Sequence, residues 1–280
     1  MRKPRDDQPN RVCHIISRIA HRAFFLNDEE RDRFVDLLRR AADFSGVDLL
    51  SWCVMTNHVH VLVFVGARRE IPDEEILRRM RVLYRPARFD ELRREWDRLA
   101  AHPESASFRR FRESFLKRMW NASAFMQTLK QHFTMSFNER REHTGTMWEG
   151  RCHMRVHRPD AFGMGGEAML TAGYIDANPA KAGIVPSVEQ AGDSPWGSFH
   201  AACSGGAARD AGHRQPPVFH AALSFAAGQG RLRQAAGCRR RLVLQGDLLP
   251  DAQGEGGGRV PWTVSHRPYH KGQVRRAKLG

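Results

Sequence analysis

The feature that most constrains this chain lies between Leu49 and Val65. Two apolar, β-branched runs, Leu49 to Met55 and His58 to Val65, are separated only by Thr56-Asn57, which reads as a β-hairpin. The second run is His58-Val59-His60-Val61-Leu62-Val63. Successive side chains on a strand alternate faces, so His58 and His60 point the same way while Val59 and Val61 point into a core. Two imidazoles side by side can bite one metal ion, or they can simply face water on a half-exposed sheet.

Around the hairpin the pattern alternates between strand and helix. Val12 to Ile19 reads as a strand. Asn27 followed by Glu30 is a capping-box pattern, and Phe34, Leu37, Leu38, Ala41 and Ala42 recur at helical spacing until Gly46. Phe125, Leu129, His132, Phe133 and Phe137 give a second core helix that ends near His143-Thr144-Gly145. Arg151 to Val156 is a candidate strand, and a third helix covers roughly 160–177. Gly163, Gly165 and Gly166 fall in its first turns, at ~1 kcal/mol each against Ala, so it either begins near Glu167 or has a hinge at its start. The order βαββαβ with a trailing helix is the ferredoxin-like arrangement, an α+β fold in which an antiparallel sheet carries helices on one face.

Two regions stand outside that pattern. From Gly66 to about Ser123 the chain is charged and mostly helical, with Arg78, Arg79, Arg81, Arg93, Arg94, Arg109, Arg110 and Arg112 interleaved with acids. It reads as an insertion into a single domain of residues 1–204. Residues 205–280 hold 13 Lys/Arg against 4 Asp/Glu, interrupted by Gly205-Gly206 and Gly256-Gly257-Gly258, and only 217–226 and 242–249 suggest local structure. A loosely ordered basic C-terminal region is expected there.

The formal net charge of +14 predicts affinity for polyanions. No run approaches the ~18 apolar residues of a membrane span, so nucleic acid is the expected partner, with no membrane. Residues 1–10 are polar and only a short apolar stretch follows, so no signal-peptide core is visible and a cytoplasmic protein is expected. The five cysteines lie far apart without a CxxC spacing, which argues against a disulfide scaffold or a zinc ribbon.

A second candidate element is Tyr174-Ile175-Asp176-Ala177-Asn178-Pro179. On a helix, Tyr174 and Asn178 are neighbours, four residues apart. A phenol that attacks a phosphate beside a metal needs such an arrangement, with an oxygen donor next to the nucleophile. The same residues also fit a plainer role, with Tyr174 in a helix seam and Asn178-Pro179 as a helix stop.

Together these elements resemble one family. Met55-Thr56-Asn57-His58-Val59-His60-Val61-Leu62-Val63 looks like the HUH motif of the IS200-like single-tyrosine transposases, particularly the REP-associated tyrosine transposase branch. Met147-Trp148-Glu149-Gly150-Arg151 resembles the segment before that family's last core strand. Tyr174-Ile175 through Asn178-Pro179 to Ala182-Gly183 resembles its tyrosine motif, and Ser194-Pro195-Trp196-Gly197-Ser198-Phe199 its closing motif. The insertion is longer than is usual in such proteins.

The resemblance implies His58 and His60 as metal ligands, Tyr174 as nucleophile and Asn178 as a third ligand to a divalent metal ion, Mg²⁺ or Mn²⁺. It implies cleavage and strand transfer of single-stranded or hairpin DNA through a 5′-phosphotyrosine. Tyr84 lies in the insertion and Tyr269 in the tail, so no motif places either. Trp120, Trp148 and Trp196 are candidates to stack on unpaired bases, or else core residues. Competing readings are a domesticated hairpin-binding protein without cleavage, a hydrolytic nuclease whose metal is held by His58, His60 and His14, and a basic RNA-binding protein. The last would call for aromatic residues on the central strands, where this chain has histidines. A homodimer is left open.

Overall fold

The computed structural model describes residues 9–20, 26–157 and 165–203. Strands β1 (Arg11–Arg18), β2 (Asp48–Val54), β3 (His58–Val65) and β4 (His153–His157) form one antiparallel sheet in the order β2-β3-β1-β4. With helix α1 (Asp28–Ser45) between β1 and β2, and α5 (Ala122–Arg141) between β3 and β4, this is the expected ferredoxin-like α+β fold.

Strand parity divides the sheet into two chemically different faces. Cys13, Ile15, Val59, Val61 and Val63 enter the main core with Phe34 and Leu38 of α1 and Phe125 and Phe133 of α5. Phe34 and Phe133 meet edge to face at 5.0 Å, and each such buried side chain contributes roughly 1.5–3 kcal/mol. The register pairs Arg18 with His58, Ile16 with His60 and His14 with Leu62, so these six share the other face.

The ends of α1 show how far local signals carry. Asn27 Oδ1 accepts the Glu30 backbone N–H at 2.9 Å, the first half of the capping box. Glu30 does not complete it. Its buried carboxylate instead pairs with Arg140 at 2.6 Å and Arg141 at 3.1 Å, tying α1 to α5. At the other end Gly46 has φ +64°, and a Cβ there would lie 2.5 Å from Arg79 Nη1 and 3.0 Å from Trp120 Nε1. Only glycine meets both conditions without strain.

The insertion holds three helices, α2 (Asp73–Leu83), α3 (Pro86–Ala100) and α4 (Ala106–Leu116). It is not a detachable lobe, because Ile76, Met80 and Leu83 of α2 are buried in the main core cluster. Trp96 of α3 packs against Phe108 of α4 at 5.3 Å. Many of its arginines are paired with acids. Arg78 binds both Asp43 and Glu75, Arg79 binds Glu75, Arg93 binds Asp97 and Arg112 binds Asp73. Hydrogen bonding from Arg78, with help from Arg79, holds the Glu75 carboxyl down at about 2 against its partial burial.

Helix α6 (Gly165–Asp176), the trailing helix, starts two residues before Glu167 and lies on the face opposite α1 and α5. There Ala168 and Ile175 pack on Val12, Leu50, Cys53 and Leu62. An irregularity between Leu49 and Ser51 turns both Leu50 and Ser51 toward α6, as a bulge does. Short helices α7 (Asn178–Lys181) and α8 (Ser198–Cys203) follow, separated by a 3₁₀ turn at Val188–Asp193.

Both flanking motifs attach to the sheet. Glu149 N–H donates to Arg18 O at 2.8 Å, and Trp148 bridges to Ile19, so Met147 to Glu149 prolongs the pairing of β1. Val54 N–H donates to Trp196 O at 3.0 Å and Cys53 bridges to Gly197, which covers the outer edge of β2. Among the described residues no helix is long and apolar enough to cross a membrane. The expected loosely ordered tail at 205–280, including 217–226 and 242–249, lies outside the described residues, as does Gly163.

Candidate active site

His58 and His60 project from β3 as their spacing requires, with ring centroids 5.0 Å apart and planes at 75°. His58 Nδ1 is 2.7 Å from Asn57 Oδ1. An amide oxygen only accepts, so that Nδ1 carries the proton and Nε2 keeps its lone pair. His60 is 3% exposed, and its Nδ1 is 3.1 Å from Nε2 of His14 on β1.

These imidazoles sit in a setting that disfavours their charged forms. Burial is the largest cause in each case. It pushes His60 down to about 3, with His58, His14, Arg18 and Lys181 adding repulsion. His14 falls to about 4, helped by His157, His153 and Arg155, and His58 is lowered further by Arg18. A neutral imidazole is the form that ligates a metal.

Tyr174 reaches the same place from α6, which is fastened at both ends. Near its start, Glu167 Oε2 lies 3.1 Å from Nδ1 of the buried His157 on β4, and Thr171 Oγ1 is 3.2 Å from the other ring nitrogen. At its end, Asp176 Oδ1 accepts hydrogen bonds from Ser198 at 2.8 Å and Ser51 at 3.2 Å. Burial raises the Asp176 carboxyl to about 6, and the two hydroxyls pull against that shift. The helix thus crosses the sheet from β4 to β2. It sets the Tyr174 ring 5.8 Å from that of His60 at 74°, and 6.4 Å from that of His14. Tyr174 remains 43% exposed, with Lys181 Nζ 4.1 Å above its ring.

Asn178 is 7% exposed and opens α7. Its amide nitrogen donates to the carbonyls of Tyr174 at 2.8 Å and Ile175 at 3.3 Å, satisfying the last acceptors of α6. Its helix-ending role is therefore visible.

Other sequence candidates are placed elsewhere. Tyr84 packs against His132 at 5.3 Å and Phe44 at 6.3 Å, and its hydroxyl accepts from Arg118 at 2.6 Å. Tyr269 lies outside the described residues. Trp148 is buried and donates to Thr134, Trp196 lies under the Arg31 guanidinium at 3.3 Å and donates to Asp32, and Trp120 packs beside Gly46 and Arg79. Trp148 is thus a core residue, while Trp120 and Trp196 are half-buried with arginines over their rings. His14, which the sequence suggested only as a ligand in a hydrolytic nuclease, has Nε2 turned to His60. Its signal was parity, since His14 on β1 and His60 on β3 fall on the same sheet face.

Among the described residues no group of three or more His, Cys, Asp or Glu is arranged to hold a metal ion. The ring nitrogens that could hold one are Nε2 of His58 and of His60, while Asn178 turns its amide nitrogen to the carbonyls that end α6. A mixed imidazole and oxygen set suits a divalent cation that draws its remaining ligands from water or phosphate.

Among curated proteins none matches the chain. Among solved structures the chain is similar to a REP-associated tyrosine transposase bound to a REP hairpin, at 14% identity and a TM-score of 0.46, over 77% of this chain and 93% of that one. Residues 8–78 match the family model described as "Transposase IS200 like". Over that segment, which builds three of the four strands and carries His14, His58 and His60, the family resemblance of this chain is to the IS200-like transposases.

Proposed function

We propose that this protein cleaves and rejoins single-stranded DNA as a metal-dependent transposase, with Tyr174 as its nucleophile. The observation that supports this reading best is the exposed phenol of α6 held 5.8 Å, ring to ring, from a histidine of the neutral pair on β3. The described alternative, Tyr84, is half-buried against the main core, and its hydroxyl accepts from Arg118.

In the proposed reaction Tyr174 Oη attacks the scissile phosphorus. The bond from phosphorus to the 3′-oxygen breaks, the phenol proton is released, and the 3′-oxygen leaves as a hydroxyl after taking up a proton. The 5′ side stays on the protein as a phosphotyrosine. Attack by another 3′-hydroxyl reverses the step, so the bond energy is retained and no nucleotide cofactor is consumed. Free tyrosine has a pKa near ~10 and is a weak nucleophile at neutral pH.

His58 and His60, with Asn178 as a third candidate, would hold the divalent cation, Mn²⁺ or Mg²⁺. When bound it would polarise the phosphate and offset transition-state charge. Lys181 and Arg18 add positive charge near His60 and suit them to hold the DNA backbone beside the cut. The net charge of +14 supplies sequence-independent affinity for DNA. Because many insertion arginines are already paired, the sheet face and the basic tail are the stronger candidates for phosphate contacts.

The test is cleavage of hairpin-bearing oligonucleotides in Mn²⁺. His58→Ala or His60→Ala should abolish cutting while leaving hairpin binding largely intact, since backbone contacts carry the affinity. Full cleavage by either variant would contradict the assignment.

A further inference from the structure

The contact between His14 and His60 is not explained by packing alone. His14 is 9% exposed and its ring meets that of His60 edge to edge, with centroids 5.4 Å apart and planes at 20°. The approach is also polar, with His14 Nε2 3.1 Å from His60 Nδ1. Two ring nitrogens this close share one hydrogen bond, so a single proton lies between them. Either His14 donates and His60 Nδ1 accepts, or the reverse.

The two alternatives differ in what His60 offers on its other side. If His14 donates, His60 carries its proton on Nε2 and has no free lone pair. If His60 donates through Nδ1, its Nε2 lone pair is free. His58 is already held in the second state, because Asn57 Oδ1 at 2.7 Å can only accept from its Nδ1. Matching the two rings requires His14 to be an acceptor.

We infer that His14 is a positioning residue that accepts the Nδ1 proton of His60 and so fixes the tautomer in which His60 Nε2 can bind a divalent cation. This rests on the proposed metal site. It assigns His14 a part that no sequence motif carries and distinguishes it from a ligand, since Nε2 of His14 is the nitrogen turned to His60. Removing a group that orients a ligating histidine typically weakens metal binding by about 10–100-fold.

The experiment uses the full chain and Mn²⁺ alone. Metal affinity is measured by calorimetry for wild type, His14→Leu, which keeps the volume without an acceptor, and His14→Gln, whose side-chain oxygen can accept. In parallel, nitrogen-15 spectra of the metal-free wild-type protein read the tautomer of His60, assigned by loss of its signals in His60→Ala. The expected result is a proton on His60 Nδ1, a loss of affinity of about 10–100-fold in His14→Leu, and recovery of most of it in His14→Gln. A proton on His60 Nε2 in the metal-free protein, or unchanged Mn²⁺ affinity in His14→Leu, would overturn the role of His14. Failure of the wild type itself to bind Mn²⁺ would instead overturn the metal site, while the tautomer would still decide the direction of the hydrogen bond.

Discussion

The phenol of Tyr174 stands edge-on to the imidazole of His60, with centroids 5.8 Å apart, although the two come from a helix and a strand distant in the chain. What holds them together is the fastening of α6 at both ends, by His157 with Glu167 and by Asp176 with Ser51 and Ser198.

Loosening one fastening should therefore act on the helix before it acts on the fold. Asp176→Ala removes the acceptor of two hydroxyls, a loss of about 1 kcal/mol per hydrogen bond. It is expected to speed amide exchange across residues 165–176 and slow cleavage, while exchange in β1 and β3 stays as in wild type. Asp176→Asn keeps an oxygen acceptor and should behave close to wild type. Equal exchange rates in Asp176→Ala and wild type would show that the apolar contacts of Ala168 and Ile175 suffice.

Gly46 ends α1 in a left-handed conformation with Arg79 and Trp120 against it. Gly46→Ala should cost about 1–3 kcal/mol in urea unfolding, with an unchanged slope against denaturant. In an Arg79→Ala background the added cost should shrink to the backbone part and the contact with Trp120. A Gly46→Ala protein as stable as wild type would mean that the neighbouring side chains move aside freely.

Glu75 links α2 to α1 through Arg78 and its partner Asp43. Its carboxyl lies at about 2 in the folded protein against an ordinary 4.5, so unfolding takes up a proton between those values and stability falls as pH drops through the window. Glu75→Gln should be less stable than wild type at pH 7, by about 1 kcal/mol for a partly exposed pair. The gap should close as pH falls from 4.5 toward 2. A gap that persists unchanged at the acid end would place the stabilising contact elsewhere.

The tail carries 13 Lys/Arg against 4 Asp/Glu. Deleting residues 205–280 should weaken DNA binding at low salt and flatten the dependence of affinity on salt, because fewer counterions are released. An unchanged slope in filter-binding titrations would mean that the tail does not touch the backbone of the DNA.

The half of the site on β3 was legible because a period of two fixes both the shared face of His58 and His60 and the buried face of Val59 and Val61. Asn27 and Gly46 marked the ends of α1 for similarly local reasons. What was not legible depends on contacts between distant segments. Glu30 had the spacing to close its own cap, yet two arginines of α5 hold it in the core. The side of the sheet taken by α6 follows from a small apolar cluster and a bulge in β2, neither of which has a periodic signature. Arg78 also reaches Asp43 of α1, and Arg112 reaches Asp73 of α2, pairings between separate elements that no local spacing announces.

The central claim is that the nucleophile is a tyrosine, and the most direct measurement is of the bond it forms. A hairpin oligonucleotide labelled 3′ of the cut is incubated with protein and Mn²⁺, separated under denaturing conditions, and the labelled protein is digested for mass spectrometry. Wild type, Tyr84→Phe and Tyr269→Phe are predicted to carry the label, with the adduct on the peptide that contains Tyr174. Tyr174→Phe is predicted to bind DNA and metal yet carry none. Cleavage by Tyr174→Phe, or cleavage by wild type that leaves only free 5′-phosphate, would contradict the account and make water the nucleophile.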